Sequence, residues 1–140
     1  MQLSKLINNL DKKYQNHTIK NISFNSKNCK PGSIFFSIKG NKLNGEDFIN
    51  EAIQNGASII ISKNKFQGYK NKALYLHSNN PRSLLAKISS KFYPGKPKNL
   101  IAVTGTNGKS SIANFYNQIM NLCKKRSCSI GTLGVIGKEM

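Results

Sequence analysis

Apolar residues recur along this chain at two periods, and the period switches from segment to segment. Leu3, Leu6, Ile7 and Leu10 fall on one helical face, so "LSKLINNL" reads as an amphipathic helix. "TIKNISF" alternates apolar and polar positions as a half-buried strand does, and the turn "NSKNCKPG" follows it. "SIFFSIKG" reads as a second strand, ended by Gly40. Helical spacing returns at Phe48, Ile49, Ala52 and Ile53, with Gly56 as the C-cap. "ASIIIS" is then a buried strand and "KALYLHS" another. "NPRSLLAKISSKFYP" starts a helix with Asn80 as N-cap and Pro81 in the first helical position.

This alternation predicts a small α/β domain over roughly the first 95 residues. "PGKPKN", residues 94–99, is a Pro, Gly and Lys-rich joint, so the expected division is a first domain over 1–97 and the opening of a second over 98–140. There the strand "LIAVT", the loop "GTNGK" and the helix "SSIANFYNQIMNL" predict the first βαβ of a P-loop ATPase domain, incomplete in this chain. Ile112, Phe115, Ile119 and Leu122 form the face on which that helix is expected to pack against its strand.

The glycine loop carries the chemistry. Gly105 and Gly108 let backbone N–H groups turn toward an anion, and the helix start adds unpaired N–H groups and a favourable dipole. Lys109 is placed to reach the β and γ phosphates of ATP, and the Ser110 hydroxyl to bind Mg²⁺. The match to G-x-x-x-x-G-K-[ST] is incomplete, because Val103 stands where its first glycine would fall. A glycine turn that merely joins strand to helix is the alternative; Lys and a hydroxyl directly after Gly108 argue against it.

Composition adds restraint more than direction. With 140 residues and 38% hydrophobic content the chain can bury a core. Runs such as "ASIII" are too short to span a bilayer, and "MQLSKLINNLDKK" is no secretory signal, so a cytoplasmic location without membrane partners is expected. Cys29, Cys123 and Cys128 have neither zinc nor redox spacing and are expected to be ordinary reduced thiols. The net charge of +17 would suggest nucleic acid. Yet the basic residues are almost all Lys, spread along the chain beside 19 Asn, and only Arg82 and Arg126 could make bidentate contacts. Specific nucleic-acid binding is therefore not expected; a diffuse field attracting anionic ligands is.

At "VTGTNGKSS" the resemblance becomes specific: the stretch resembles the ATP-binding loop of the Mur ligases, amide-forming enzymes that build the peptidoglycan stem peptide. Upstream, "FNSKNCKPGSIFFSIKGNKLNGEDFINEAIQNGAS" resembles their N-terminal pattern of Asp-Ser-Arg, Pro-Gly, a strand ending in Gly, Asp-Gly-His-x-Phe and a helix closing on Gly-Ala. "NPRSLLAKISSKFYP" resembles the helix leading into the central domain, and "IGTLG" the strand after the loop helix. The MurE type, which adds the third residue to UDP-N-acetylmuramoyl-L-alanyl-D-glutamate, fits best; the MurF type, another Mur ligase, or a non-catalytic nucleotide- or polyanion-binding module are the alternatives.

What this implies can be carried over by position. The first domain would bind the UDP substrate, with Phe24 and Ser26 at the uracil end and Asn41, Lys42 and Leu43 at the nucleotide. Gly105, Thr106, Asn107, Gly108, Lys109, Ser110 and Ser111 would hold ATP, with Lys109 catalytic and Ser110 on Mg²⁺. The other partners implied are UDP-MurNAc-dipeptide and an amino acid, meso-diaminopimelate or L-Lys. Asn25 and Lys27 replace the Asp and Arg of the pattern, Glu46 stands where His is common, and Ser110 and Ser111 replace a Thr pair. The family's chemistry also needs metal-holding carboxylates, yet Glu139 is the sole acidic residue after Lys109, so an inactive fragment is expected.

Overall fold

The computed structural model describes residues 1–8 and 10–137, which leaves Asn9 and Glu139 outside it. The chain divides into two compact units, Met1–Gly95 and Lys96–Met140, within the joint at 94–99.

Unit 1 is built on a five-stranded sheet ordered β1-β2-β3-β5-β4. Its strands are β1 (Asn21–Ser23), β2 (Ser33–Phe36), β3 (Ala57–Ser62), β4 (Gly68–Lys70) and β5 (Ala73–His77). β1, β2, β3 and β5 run parallel; β4 pairs antiparallel to β5 at the edge. The central strands are continuous apolar runs because both of their faces are covered. Side-chain alternation divides them between two cores. Ile34, Phe36, Ile59, Ile61, Leu74 and Leu76 face Leu3, Leu6 and Ile88 of α1 (Leu3–Leu6) and α3 (Pro81–Phe92). Phe35, Ile60 and Ala73 face Ala52 of α2 (Ile49–Gln54) and Cys29.

Local signals explain several boundaries. The Asn80 side chain accepts the Ser83 N–H at 3.0 Å, capping α3, with Pro81 at its first position. Gly56 follows the C-cap Asn55 of α2 with φ +100°, a left-handed closure that glycine tolerates best. The predicted first helix is cut to one turn, while Ile7 and Leu10 still pack on the core from beyond it. β4 carries no apolar alternation; it forms through the two-residue turn Asn71–Lys72, where both residues have positive φ, as a twist-matched hairpin requires.

Unit 2 corrects two expectations. Residues 100–104 form no strand, and Leu100 is 87% exposed. A strand needs a ladder for its N–H and C=O groups, and none of the described strands pairs with this segment. α4 (Lys109–Leu122) does form, but Ile112, Phe115, Ile119 and Leu122 remain exposed instead of packing on a strand. In place of a βαβ, β6 (Cys128–Gly131) and β7 (Gly134–Gly137) make an antiparallel hairpin; "IGTLG" covers the end of β6, the turn Thr132–Leu133 and the first residue of β7. Buried Asn117 ties α4 to that hairpin, its Nδ2 donating to the Ile136 carbonyl at 3.3 Å and its Oδ1 accepting the Ser127 hydroxyl at 2.6 Å.

The thiols differ in environment. Cys29 is buried, and desolvation pushes its pKa up, whereas Cys123 and Cys128 are exposed. The thiolate is the nucleophile, so iodoacetamide at neutral pH is expected to label Cys123 and Cys128 well before Cys29. Peptide mass mapping checks this, and equal labelling of Cys29 in the folded chain would contradict its burial. Because the folded value is raised, the stability tied to this thiol is full below the unfolded cysteine range and falls as pH rises through the folded value.

Candidate functional site

Parallel strands place their C-terminal ends at one edge of a sheet, where open α/β folds take ligands. In unit 1, Phe24 to Ser26 follow β1, Ser37 to Leu43 follow β2, Lys63 follows β3, and Asn80 to Arg82 follow β5. The nucleotide-contact candidates thus lie on the loops of this edge, although no hydrogen bond among the described residues joins Phe24 or Ser26 to Asn41–Leu43.

Phe24 is 70% exposed, a ring on the surface free to stack. Ser26 differs: it is buried, and its hydroxyl donates to Glu51 Oε2 on α2 at 2.5 Å. Its carbonyl accepts from Asn55 Nδ2 at 3.1 Å. Asn25, which replaces an acidic residue of the pattern, accepts the Lys27 N–H at 3.1 Å and caps the short 3₁₀ turn Ser26–Asn28. Ser26 therefore locks the β1 loop onto α2, whatever else it touches. Ser26→Ala is expected to destabilise unit 1 by about 1–2 kcal/mol, since the hydroxyl's carboxylate acceptor loses its donor. Urea denaturation measures this, and an unchanged midpoint would show the contact contributes nothing.

Asn41, Lys42 and Leu43 form the tip of a tight loop. Its neck is held by the Gly40 N–H donating to the Leu43 carbonyl at 2.9 Å and the Gly45 N–H to the Ile38 carbonyl at 3.1 Å. A Cβ on Gly45 would sit 2.5 Å from the Ile38 nitrogen, so the close crossing requires glycine. The tip stands clear, with Leu43 65% exposed.

In unit 2, Gly105 and Gly108 have φ +150° and +76°. No atom lies within 4 Å of a Cβ added to Gly108, so conformation and not space selects glycine there. α4 starts directly after Gly108 without a side-chain cap, which leaves its first-turn N–H groups to outside acceptors. The Lys109 ammonium folds back over the loop, donating to the Gly105 carbonyl and to the Thr106 carbonyl, the latter at 2.9 Å. Thr106, Asn107 and Ser111 are exposed around it. Ser110 Oγ lies 3.2 Å from Thr132 Oγ1 on the hairpin turn. The loop thus presents donors, a cation and hard hydroxyl oxygens, Ser110 Oγ at the helix start among them. That donor fits Mg²⁺, which usually takes one or two protein oxygens plus phosphate and water; no cluster of three metal-ligating side chains occurs among the described residues.

Sequence reasoning missed a second group on the sheet edge: Ser37, Lys39, Lys63 and Arg82 line one crevice with Asn44 and Glu46. They are scattered in sequence, and their signal is positional: Ser37, Lys39 and Lys63 lie just beyond parallel strands, and Arg82 lies in the first turn of the helix that follows β5.

Residues 18–93 match the Mur ligase family, catalytic domain. That match stops short of the glycine loop. The chain is 45% identical over 127 residues to the UDP-N-acetylmuramoyl-L-alanyl-D-glutamate–2,6-diaminopimelate ligase of Rickettsia prowazekii (strain Madrid E), covering 91% of this chain and 26% of that protein. The solved MurF ligase of Thermotoga maritima in complex with ADP is similar at a TM-score of 0.61 and 29% identity, over 77% of this chain and 24% of its own. A solved UDP-N-acetylmuramoyl-L-alanyl-D-glutamate–2,6-diaminopimelate ligase shares the fold over 100% of this chain and 29% of its own, at a TM-score of 0.70 and 22% identity. The chain thus spans about a quarter of the length of the curated relatives it matches, 26% for the Rickettsia ligase.

Proposed function

The chain belongs to the Mur ligase family, and from that premise we propose that it is the substrate-binding and ATP-loop part of a MurE-type ligase. The whole enzyme would join an amino acid to UDP-MurNAc-L-Ala-D-Glu. The observation that carries this is the 45% identity to a ligase of that name over 127 residues. Any 127 consecutive residues of the 140 include positions 14–127, hence the β1 and β2 loops and the glycine loop alike. The relatives' name favours 2,6-diaminopimelate over lysine as the amino acid.

In this reading residues 1–97 bind the UDP substrate through Phe24, Ser26, Asn41, Lys42 and Leu43, and residues 98–140 begin the ATP-binding domain. The substrate carboxylate attacks the γ-phosphorus of ATP and the bond to the β-γ bridging oxygen breaks, giving an acyl phosphate and ADP. The amine of the incoming amino acid then attacks the acyl carbon, loses a proton and expels phosphate, leaving the amide. Lys109 would leave its loop carbonyls and follow the transferred phosphoryl, holding charge as it shifts. The N–H groups at the start of α4 and of the 105–108 loop would hold the β-phosphate in place. Mg²⁺, held by Ser110 and the phosphates, would supply charge neutralisation. A cytoplasmic setting belongs to this proposal because ATP and UDP-linked precursors are used there; no helix among the described residues is long and apolar enough to cross a membrane.

The test has two arms. UDP-MurNAc-L-Ala-D-Glu titrated into this chain should bind saturably. A chain carrying the full length of the relatives should release ADP only when that substrate and diaminopimelate are both present. ADP release that ignores the UDP substrate would remove the reading. Duplex DNA should bind only weakly and be lost as salt rises, as counterion release dictates; binding that survives high salt would favour a nucleic-acid module instead.

A further inference from the structure

The crevice between the β2, β3 and β5 ends encloses about 250 Å³. This is below the roughly 300–1,000 Å³ of pockets for drug-sized ligands. Its lining includes Lys39, Lys63 and Arg82 against a single carboxylate, Glu46. None of these cations is spent on an ion pair: among the described residues the one salt bridge joins Lys13 to Asp11. The wall also holds the start of α3, a helix of 12 residues whose positive dipole end lies at Asn80–Arg82.

A second, independent feature points to a ligand. Ser37 is 4% exposed, and its hydroxyl is a buried side-chain polar atom without a hydrogen-bond partner among the described residues. An unpartnered buried hydroxyl is costly. Ser37 is part of the crevice wall, and its side chain has three staggered rotamers with which to seek an acceptor inside. We propose that this crevice binds a small phosphate-bearing anion, through Arg82, Lys63 and Lys39, the α3 N-terminus and the Ser37 hydroxyl. The anion is either free or the phosphate end of a nucleotide. The crevice wall does not include residues 24–26 or 41–43, although Lys39 and Asn44 flank the 41–43 tip, and only the nucleotide arm of the test rests on the ligase reading.

Calorimetric titration of the whole chain with inorganic pyrophosphate, at about 150 mM salt to screen the diffuse field, tests it. Arg82→Gln should weaken binding about tenfold or more, because it removes a charge-assisted fork. Ser37→Ala should weaken binding about threefold while leaving the melting temperature unchanged or higher, since the unsatisfied hydroxyl is gone. Lys124→Gln with Lys125→Gln, which removes two charges in the other unit, should change affinity by less than about twofold. A parallel titration with UDP separates the sources. Tighter binding than pyrophosphate, weakened by Phe24→Ala, marks a nucleotide end, and equal affinity marks a free phosphate anion. Equal weakening by the Lys124/Lys125 control, no measurable pyrophosphate binding, or wild-type affinity in Arg82→Gln or Ser37→Ala would overturn the proposal.

Discussion

Replacing Lys109 by Ala is expected to lower turnover on the order of 10³-fold or more in a chain of full ligase length, while leaving both units folded. The magnitude follows from what the ammonium would do. Its charge counts most where negative charge is redistributed over the phosphoryl oxygens, so its loss falls on the transition state and lowers kcat more than it raises KM. The structural cost is small. Lys109 is exposed, its two bonds go to loop carbonyls that water can satisfy, and Ala is the best residue for a helical turn. Lys109→Arg should rescue little, because a planar fork replaces a compact ammonium on a glycine-lined turn. In the present chain the same substitution should weaken MgATP binding without shifting the melting curve. Turnover within tenfold of wild type, or unchanged ATP affinity, would show that the loop is only a connection between elements.

Legibility in this sequence depended on how local each signal was. The Asn80–Pro81 start of α3 and the Gly56 closure of α2 are set by a few adjacent residues, so they could be read directly. The strands "SIFF" and "ASIIIS" could be read because a parallel strand buried on both faces becomes a continuous apolar run. Where a structure depends on distant partners, reading failed. "LIAVT" has strand composition, but composition supplies no ladder, and its backbone finds none among the described strands. The edge strand Gly68–Lys70 is the reverse: polar in sequence, it forms because Asn71 and Lys72 both adopt positive φ and fold it back onto β5.

The candidate sites divide in the same way. The glycine loop could be read because its parts are contiguous and its geometry is dictated by Gly105 and Gly108. The environment of Ser26 was not legible, since its bond to Glu51 spans 25 residues. The crevice of Ser37, Lys63 and Arg82 was illegible, because only the parallel order of β2, β3 and β5 brings two separate loops and the start of α3 to one edge.

Gly56→Ala is expected to be the most destabilising single-methyl change in unit 1. Two costs combine there. The backbone has φ +100°, which an L side chain rarely adopts, and an added Cβ would lie 2.6 Å from the Pro31 nitrogen and 2.8 Å from the Lys30 carbonyl carbon. These are backbone atoms, so no side chain can swing away. Gly56 also joins two elements: its N–H donates to the Ile53 carbonyl at 2.9 Å, closing α2, and its carbonyl accepts the Gly32 N–H at 3.2 Å, just before β2. Left-handed strain of about 1–2 kcal/mol and overpacking of about 1–3 kcal/mol give a loss near 3 kcal/mol. For a unit of this size that lowers the melting temperature by about 10 °C or more. Two controls separate the costs. Gly108→Ala carries the positive φ of +76° but meets no atom within 4 Å, so it should show the strain alone; Gly95→Ala has neither burden and should be neutral. Since Gly56 anchors the turn that launches β2, the damage should extend to the strand whose end presents Ser37, and pyrophosphate affinity should fall with stability. A Gly56→Ala chain that melts within about 2 °C of wild type would mean that the 30–32 turn can yield, and that the close approach is not what holds α2 and β2 together.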